Sequence, residues 1–346
     1  MFSSYIDNWI SLAIKMECEK IDLELKFATL DDDDEPYNFP CHLLLSSKNS
    51  HLKHLFLYEC QFNPTHEIAE RLVTLKSIAL VLVLMEANIL DLILSSCLNL
   101  EFLELIDCQV LTSLRICRQD LGLKHLDVIS MHVEANIELS IPNLEIFRFF
   151  GSLEDITFSR MNKLKSVDLD IDRTYHKGFC QLLDELSENA HSLEELFLCC
   201  HFPQYLCYPH NKNYTPKFDN LTHLELTAEE DYGWNMFTYM LYKSPQLKHL
   251  VIDKGYTPSI VGEPSWIRPE LVPTCVSSCL EEVTFIQFNG QDCELEFVGY
   301  ILKNASILKK MEINITIPNS EVRCRIANQI NTFPRSSKAC EVSFDT

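Results

Sequence analysis

The sequence predicts an α/β solenoid: a curved parallel sheet with one strand per repeat, and helices or turns carrying the chain back behind it. Three observations predict this. The phrase Leu-x-x-Leu-x-Leu recurs along the chain, as Leu52–Leu57, Leu100–Leu105, Leu193–Leu198, Leu221–Leu226 and, with isoleucine last, Leu247–Ile252. Looser copies, apolar at relative positions 1, 4 and 6, begin at Cys18, Leu75, Leu111, Leu123, Leu144, Leu153, Leu164, Leu280 and Leu308. The longer intervals between starts suit the period of a leucine-rich repeat, roughly 20–29 residues, which holds one strand plus a return segment. Composition agrees: 47% of the 346 residues are hydrophobic, enough for a continuous core. Each repeat packs only on its neighbours, so this length does not demand two globular domains.

Residues 1–16 read as an amphipathic helix with Ile6, Trp9, Ile10 and Ala13 on one side, placed to cap the first repeat. Repeats are expected over 17–255. Asp31–Glu35 is an acidic run, read as a solvated loop, since it lacks the ligand alternation of a calcium site. In the middle of the chain some phrases follow one another closely, as at Leu111 and Leu123 or Leu144 and Leu153, which leaves room for a strand and a turn only. That stretch should be strand-rich and nearly free of helix. Helical spacing returns at Phe179, Leu182, Leu183 and Leu186, at Trp234, Phe237 and Leu241, and at Leu295, Val298 and Leu302. Glu294 and Glu296 fall in the first turn of the last helix, where acids suit the helix dipole. Pro203–Pro216 and Tyr256–Pro273 are proline-punctuated loops. The second separates the repeats from a C-terminal region, 256–346.

Composition excludes several function classes. With 50 acidic against 29 basic residues the formal charge is −21, so the chain should repel nucleic acid and anionic membranes. The longest apolar run, Ile78–Met85, is too short to cross a bilayer, and Asp7 interrupts the start where a signal peptide would need an apolar stretch. Only 8 glycines are present, and no G-x-G-x-x-G or Walker phrase. Without G-x-S-x-G or H-E-x-x-H, no enzyme and no cofactor are expected. Fifteen scattered cysteines, many at core positions, favour a reducing compartment, cytosol or nucleus. Cys199, Cys200, His201, Cys207 and His210 cluster, but no C-x2-C pair supports zinc, so they read as strand and loop residues. Cys275 and Cys279 lack a second pair. His54, His125, His223 and His249 share repeat position 3, which places His223 and His249 on neighbouring strands.

The repeat also predicts a binding face. Alternate side chains of a strand point to opposite sides. With positions 4 and 6 inward, positions 3, 5 and 7 point out from the concave sheet. They give His54, Phe56 and Tyr58; Phe102, Glu104 and Ile106; His125, Asp127 and Ile129; Ile146, Arg148 and Phe150; and Glu195, Phe197 and Cys199. Aromatics among charges are what protein-binding hot spots use, and a large exposed apolar patch marks an interaction site. Internal packing under a covering segment is the competing reading. Beyond Leu153 the array turns polar, with Asp155, Thr157, Ser159, Ser166, Asp168 and Asp170. A protein partner on this face, with the chain itself a monomer, is the expectation.

Two copies fit a fuller consensus, L-x-x-L-x-L-x-x-[NC]-x-L: Leu52, Leu55, Leu57, Cys60, Phe62, and Leu100, Leu103, Leu105, Cys108, Val110. The C-terminal order is more specific. It runs Trp266-Ile267-Arg268-Pro269, Val272-Pro273-Thr274-Cys275, Leu280-Glu281-Glu282-Val283, Phe288-Asn289-Gly290, Tyr300–Ala305, Leu308–Ile313 and Pro334-Arg335-Ser336-Ser337, then Cys340 and Phe344. This resembles the FBD domain that closes plant F-box proteins with leucine-rich repeats. Trp9-Ile10, Cys18–Leu23, Phe39-Pro40 and Lys243–Lys248 resemble upstream parts of that family. The resemblance implies a strand–helix–strand FBD unit over 256–346. It also implies the substrate-recognition half of a Skp–cullin–F-box ubiquitin ligase. No phrase here matches an F-box, so docking to the Skp adaptor is expected only if an F-box lies upstream. A shortened gene product, a decoy that binds substrate without delivering it, and a small-ligand sensor are the other readings.

Overall fold

A computed structural model describes residues 3–25, 36–46, 51–172, 179–200, 217–228, 234–254 and 266–345. Asp31–Glu35, His201–Pro216 and the start of the Tyr256–Pro273 loop lie outside the described residues. The chain forms two compact units, Met1–Leu164 with Thr174–His176, and Lys165–Arg173 with Lys177–Thr346.

The first unit opens with α1 (Ser3–Lys15), β1 (Lys20–Glu24), β2 (Tyr37–Asn38), β3 (His54–Tyr58) and β4 (Cys60–Gln61). It continues through α2 (His66–Ala69), β5 (Ser77–Val81), α3 (Ile89–Ser96), β6 (Phe102–Ile106), β7 (Leu114–Cys117), β8 (His125–Ser140) and β9 (Ile146–Phe158). Strands β1, β3, β5, β6, β8 and β9 pair in that order, all parallel. Parallel neighbours need a return segment between them, and each repeat supplies one. Register is uniform: Lys20, His54, Ser77, Phe102, His125 and Ile146 stand in one row. Positions 4 and 6 bury Leu55, Leu57, Ile78, Leu80, Leu103, Leu105, Leu126 and Val128. Each such side chain contributes roughly 1.5–3 kcal/mol of apolar burial.

The structure corrects the count of rungs. The Leu111 and Leu153 phrases are not separate rungs of this row. Leu111 leads into β7, which pairs with the far end of β8, Leu114↔Ile137 through Cys117↔Ser140. The Leu153 phrase is the second half of β9, with Ile156↔Ile137 and Phe158↔Leu139. β8 and β9 are thus long enough to supply two strand segments each. Once these two phrases are set aside, the starts at Leu75, Leu100, Leu123, Leu144 and Leu164 are nearly evenly spaced. The return path here is a second strand, which is why residues 102–171 contain a short 3-10 turn, Gln109–Ser113, and no α-helix.

The second unit runs β10 (Ser166–Ile171), α4 (Phe179–Asn189), β11 (Glu195–Cys200), β12 (His223–Ala228), α5 (Trp234–Lys243), β13 (His249–Asp253), α6 (Thr274–Ser278), β14 (Glu282–Phe288), α7 (Asp292–Asn304), β15 (Lys310–Ile315), α8 (Ser320–Asn331) and β16 (Glu341–Asp345). Its strands pair in chain order, all parallel. Here the wider intervals between starts admit a helix, and α4, α5 and α7 sit where the spacing predicts them. β14, α7 and β15 are the strand–helix–strand of the C-terminal region. β16 adds a rung that the leucine phrase hides, because its position 1 is Ala339.

Two recurring corners shape the first unit. Glu59, Leu82 and Asp107, each at position 8, take left-handed φ of 49°, 53° and 47°. Their N–H groups donate to Val81, Ile106 and Ile129 of the next strand, extending the ladder around the bend. At position 9, Cys60 and Cys108 are buried. The Cys108 thiol donates to the Leu80 carbonyl at 3.3 Å, so a small side chain covers backbone where the chain turns in.

Candidate protein-interaction face

The outward positions of the first unit form three rows. The middle row is Asp22, Phe56, Ala79, Glu104, Asp127 and Arg148, and the outer row is Glu24, Tyr58, Val81, Ile106, Ile129 and Phe150. None of these twelve is buried, whereas most of their inward neighbours are. The register predicted from the phrase therefore holds for His54, Phe56, Tyr58, Phe102, Glu104, Ile106, His125, Asp127, Ile129, Arg148 and Phe150. In the second unit it holds for Phe197, flanked by buried Leu196 and Leu198.

Tyr58, Val81, Ile106, Ile129 and Phe150 make a continuous apolar row about 20 Å long at the ~4.8 Å strand spacing. Beside it lies a polar centre. The His125 ring meets the Asp127 carboxylate at 2.7 Å, and Arg148 approaches the same carboxylate at 3.8 Å. Phe102 packs edge-on against His125, ring centroids 4.9 Å apart. Glu104 is different. Burial, reinforced by the Asp127 charge, lifts its carboxyl above the usual carboxylate range. A carboxylate in that position gains from a cation brought by a partner.

The second unit presents a more acidic face, with Asp168, Asp170, Glu195, Glu225, Asp253 and Glu282 at outward positions. His223 and His249 are neighbours, as their shared position predicts, and stack with centroids 5.9 Å apart and planes 27° apart. Phe197 lies 5.3 Å from His223, so three rings run along the sheet. Cys199 is near the end of its strand, and His201, Cys207 and His210 of the proposed cluster fall outside the described residues. Among the described residues no group of three or more metal-ligating side chains comes together. No helix among them is long and apolar enough to cross a membrane.

Trp9 does not share the inward side of α1. Ile6, Ile10 and Ile14 are buried there, while Trp9 is exposed. The 3.6-residue period puts positions 6, 10 and 14 on one stripe and 5, 9, 12 and 16 on another, so an apolar residue at 9 carries no information about which stripe faces in.

Parallel one-strand repeats with position 4 and 6 leucines inside define a leucine-rich-repeat protein, a class that binds along its exposed sheet. Residues 1–343 match the family described as the At1g61320/AtMIF1 LRR domain, and the chain belongs to that family. It is similar to the Arabidopsis thaliana F-box/FBD/LRR-repeat protein At5g56570, 26% identical over 231 residues, 64% of this chain and 52% of that protein. It is 25% identical to the probable FBD-associated F-box protein At1g32375 of the same plant, over 65% of this chain and 51% of the relative. The FBD-associated F-box protein At1g61320 is 27% identical over 76% of this chain and 61% of its own length. The chain spans about half the length of the first two of these relatives.

Proposed function

We propose that this chain is a non-enzymatic protein-interaction module that holds a protein partner on the outward sheet face of its first unit. The observation that carries the reading is the row Tyr58, Val81, Ile106, Ile129 and Phe150 beside the Glu104–Asp127–Arg148 polar centre. It supplies rigid apolar area with charges to fix register, the composition of an interface core and its specificity elements. The names of the relatives add the finer reading. The module serves as the substrate-recognition part of an F-box-type ubiquitin-ligase receptor. Docking to a Skp-type adaptor belongs only to a form of the protein that carries an F-box. Twelve described cysteines, all free thiols, support a reducing compartment.

The test is capture of partners by the purified chain, compared with a Phe56→Ala, Tyr58→Ala, Phe150→Ala variant that folds normally. The expected result is a defined protein set bound by the wild type and lost by the variant. Recovery of no protein, or of an identical set by both, overturns the assignment of this face.

A further inference from the structure

We propose that α1 is a self-association helix, whose exposed stripe of Tyr5, Trp9, Leu12 and Met16 takes the same stripe of a second copy of this chain running antiparallel. One side of α1 is already used: Ile6, Ile10 and Ile14 are buried, and the Tyr37 hydroxyl donates to Asp7 at 2.6 Å. The other side is not. Tyr5, Trp9, Leu12 and Met16 are 61%, 69%, 57% and 73% exposed. Scattered exposed apolar residues need no explanation, but four in one helical line do.

The spacing says what fits them. Steps of 4, 3 and 4 along the chain are those of an a/d seam, the contact line of paired helices. The stripe is also symmetric about the point between Ile10 and Ser11. A twofold axis there sets Tyr5 of one copy level with Met16 of the other, and Trp9 level with Leu12. Each large ring then meets a flexible or branched aliphatic group, and the Tyr–Met pair is a favourable sulfur–aromatic contact. Isologous pairing of one patch with itself is the commonest route to a homodimer.

Charge favours this surface as well. Two chains of net charge −21 repel each other over most of their surface. The exposed residues of α1 are Ser3, Ser4, Tyr5, Asn8, Trp9, Leu12 and Lys15, with no carboxylate among them; Met16 follows in the turn after the helix, next to the exposed Glu17. The one acid of α1, Asp7, is engaged by Tyr37. Fully covered, the exposed surface of the four residues comes to roughly 550 Å2 per copy, about 1,100 Å2 for the pair, just under the lower edge of stable specific interfaces. The dimer is therefore weak. This departs from the monomer expected on sequence, and it is independent of the sheet face proposed above.

Sedimentation of the full chain from low to high micromolar concentration tests it. The mass is expected to rise from 40.1 kDa towards twice that value. Tryptophan emission should shift to the blue in step. Trp234 and Trp266, 4% and 8% exposed, are already buried, so the shift reports Trp9. Leu12→Glu, at an exposed position, should leave the fold unchanged and abolish both effects. A single-chain mass with constant emission over the whole range overturns the proposal. A Leu12→Glu chain that dimerises as well as the wild type also overturns it. The wild-type emission series stands even if the variant fails to fold.

Discussion

Glu294 and Lys254 meet at 3.3 Å in a site where their side chains are 1% and 12% exposed. Glu294 is the third residue of α7, and its carboxylate also accepts the N–H groups of Asn289 at 3.0 Å and Gln291 at 2.8 Å. Lys254 in turn donates to the Gln291 side chain at 2.5 Å. One pair thus ties the end of the β13 rung to the capping box of the next helix. Burial raises the Glu294 carboxyl above its usual range, against the pull of Lys254 and the two N–H groups. Lys254→Met leaves an uncompensated buried charge and should cost about 3–5 kcal/mol in urea unfolding at neutral pH. Glu294→Gln keeps an acceptor for both N–H groups and should cost less, about 1–3 kcal/mol. Because the folded carboxyl titrates above the unfolded one, its neutral form favours folding at acid pH, and that contribution is lost as pH rises through the folded value. The Lys254→Met deficit should therefore shrink on acidification; a deficit that grows would show that the charge is not the cause.

The face assignment makes a sharp contrast between adjacent residues. Leu57 is fully buried and Tyr58, its neighbour, is outward. Leu57→Ala should cost about 2–5 kcal/mol through lost burial and the cavity left behind. Phe150→Ala, at an exposed position, should stay within about 0.5 kcal/mol, and Tyr58→Ala, at a half-buried one, should cost less than Leu57→Ala. Equal losses in thermal unfolding would mean that something covers the outward row.

How much of this was legible follows from the period of each signal. The two-residue alternation in a strand is unambiguous once Leu55 and Leu57 are fixed inward, so the outward residues of the Leu52, Leu100, Leu123 and Leu144 strands are legible, whereas Ser77, Ala79 and Val81 enter the rows only through the pairing of β5. The Leu111 and Leu153 phrases misled because the same apolar alternation serves a second strand in the return path, and a six-residue phrase does not say which row it joins. Ala339 concealed β16 for the opposite reason, since a small residue suffices at an edge that buries little. Trp9 is ambiguous in the sequence because α1 has two apolar stripes, and only the burial of Ile6, Ile10 and Ile14 chooses between them. The burial of Glu294 is invisible in the sequence, which marks it as a first-turn acid, and its partner Lys254 lies far earlier in the chain.

Stability should carry a histidine signature. Burial, and then the neighbouring His249, depresses the His223 pKa below its ordinary value, while Glu195 opposes them. Glu225 on the adjacent outward row and Glu282, 3.4 Å from His249, complete the charged surroundings. A depressed histidine binds its proton more readily in the unfolded chain. Stability is then lost as pH falls from the unfolded value, about 6.5, through the folded one. His223→Gln should flatten the urea midpoint between mildly acid and neutral pH. The carboxyls of Glu104 and Glu225 are raised by burial and act with the opposite sign. A midpoint slope that His223→Gln leaves unchanged would place the titration elsewhere.

Thiol reactivity should sort by position in the repeat. Burial pushes Cys108 up to about 11, and Cys60, Cys97 and Cys275 up to about 12. Thiolate is the reacting species, so these four should resist alkylation in the native chain and react only on unfolding. Cys324 is exposed and should label first; Cys117 is exposed too, but burial of its thiol raises its pKa and it should follow. Mass spectrometry of briefly alkylated protein checks the order; early labelling of Cys108 would mean that the position 9 corner opens in solution.

Gly151 occupies the corner that Glu59, Leu82 and Asp107 hold in earlier rungs, but with φ of +127°. It faces Ser130 across the irregular stretch between β8 and β9, and a Cβ there would collide with the Ser130 carbonyl. Backbone is met on the far side, not a flexible side chain, so the clash cannot be relieved by a rotamer change. Gly151→Ala should therefore cost about 2–4 kcal/mol, combining forbidden φ with a displaced strand. Leu82→Gly is the matched control. It relieves a left-handed leucine at φ 53° by about 1 kcal/mol, and greater freedom of the unfolded chain together with the lost burial of a half-buried side chain offsets that gain. Chemical unfolding should thus separate the two variants widely. A mild Gly151→Ala would show that the two long strands slide past one another at Ser130, and that the second strand row is held by β7 and not by the glycine corner.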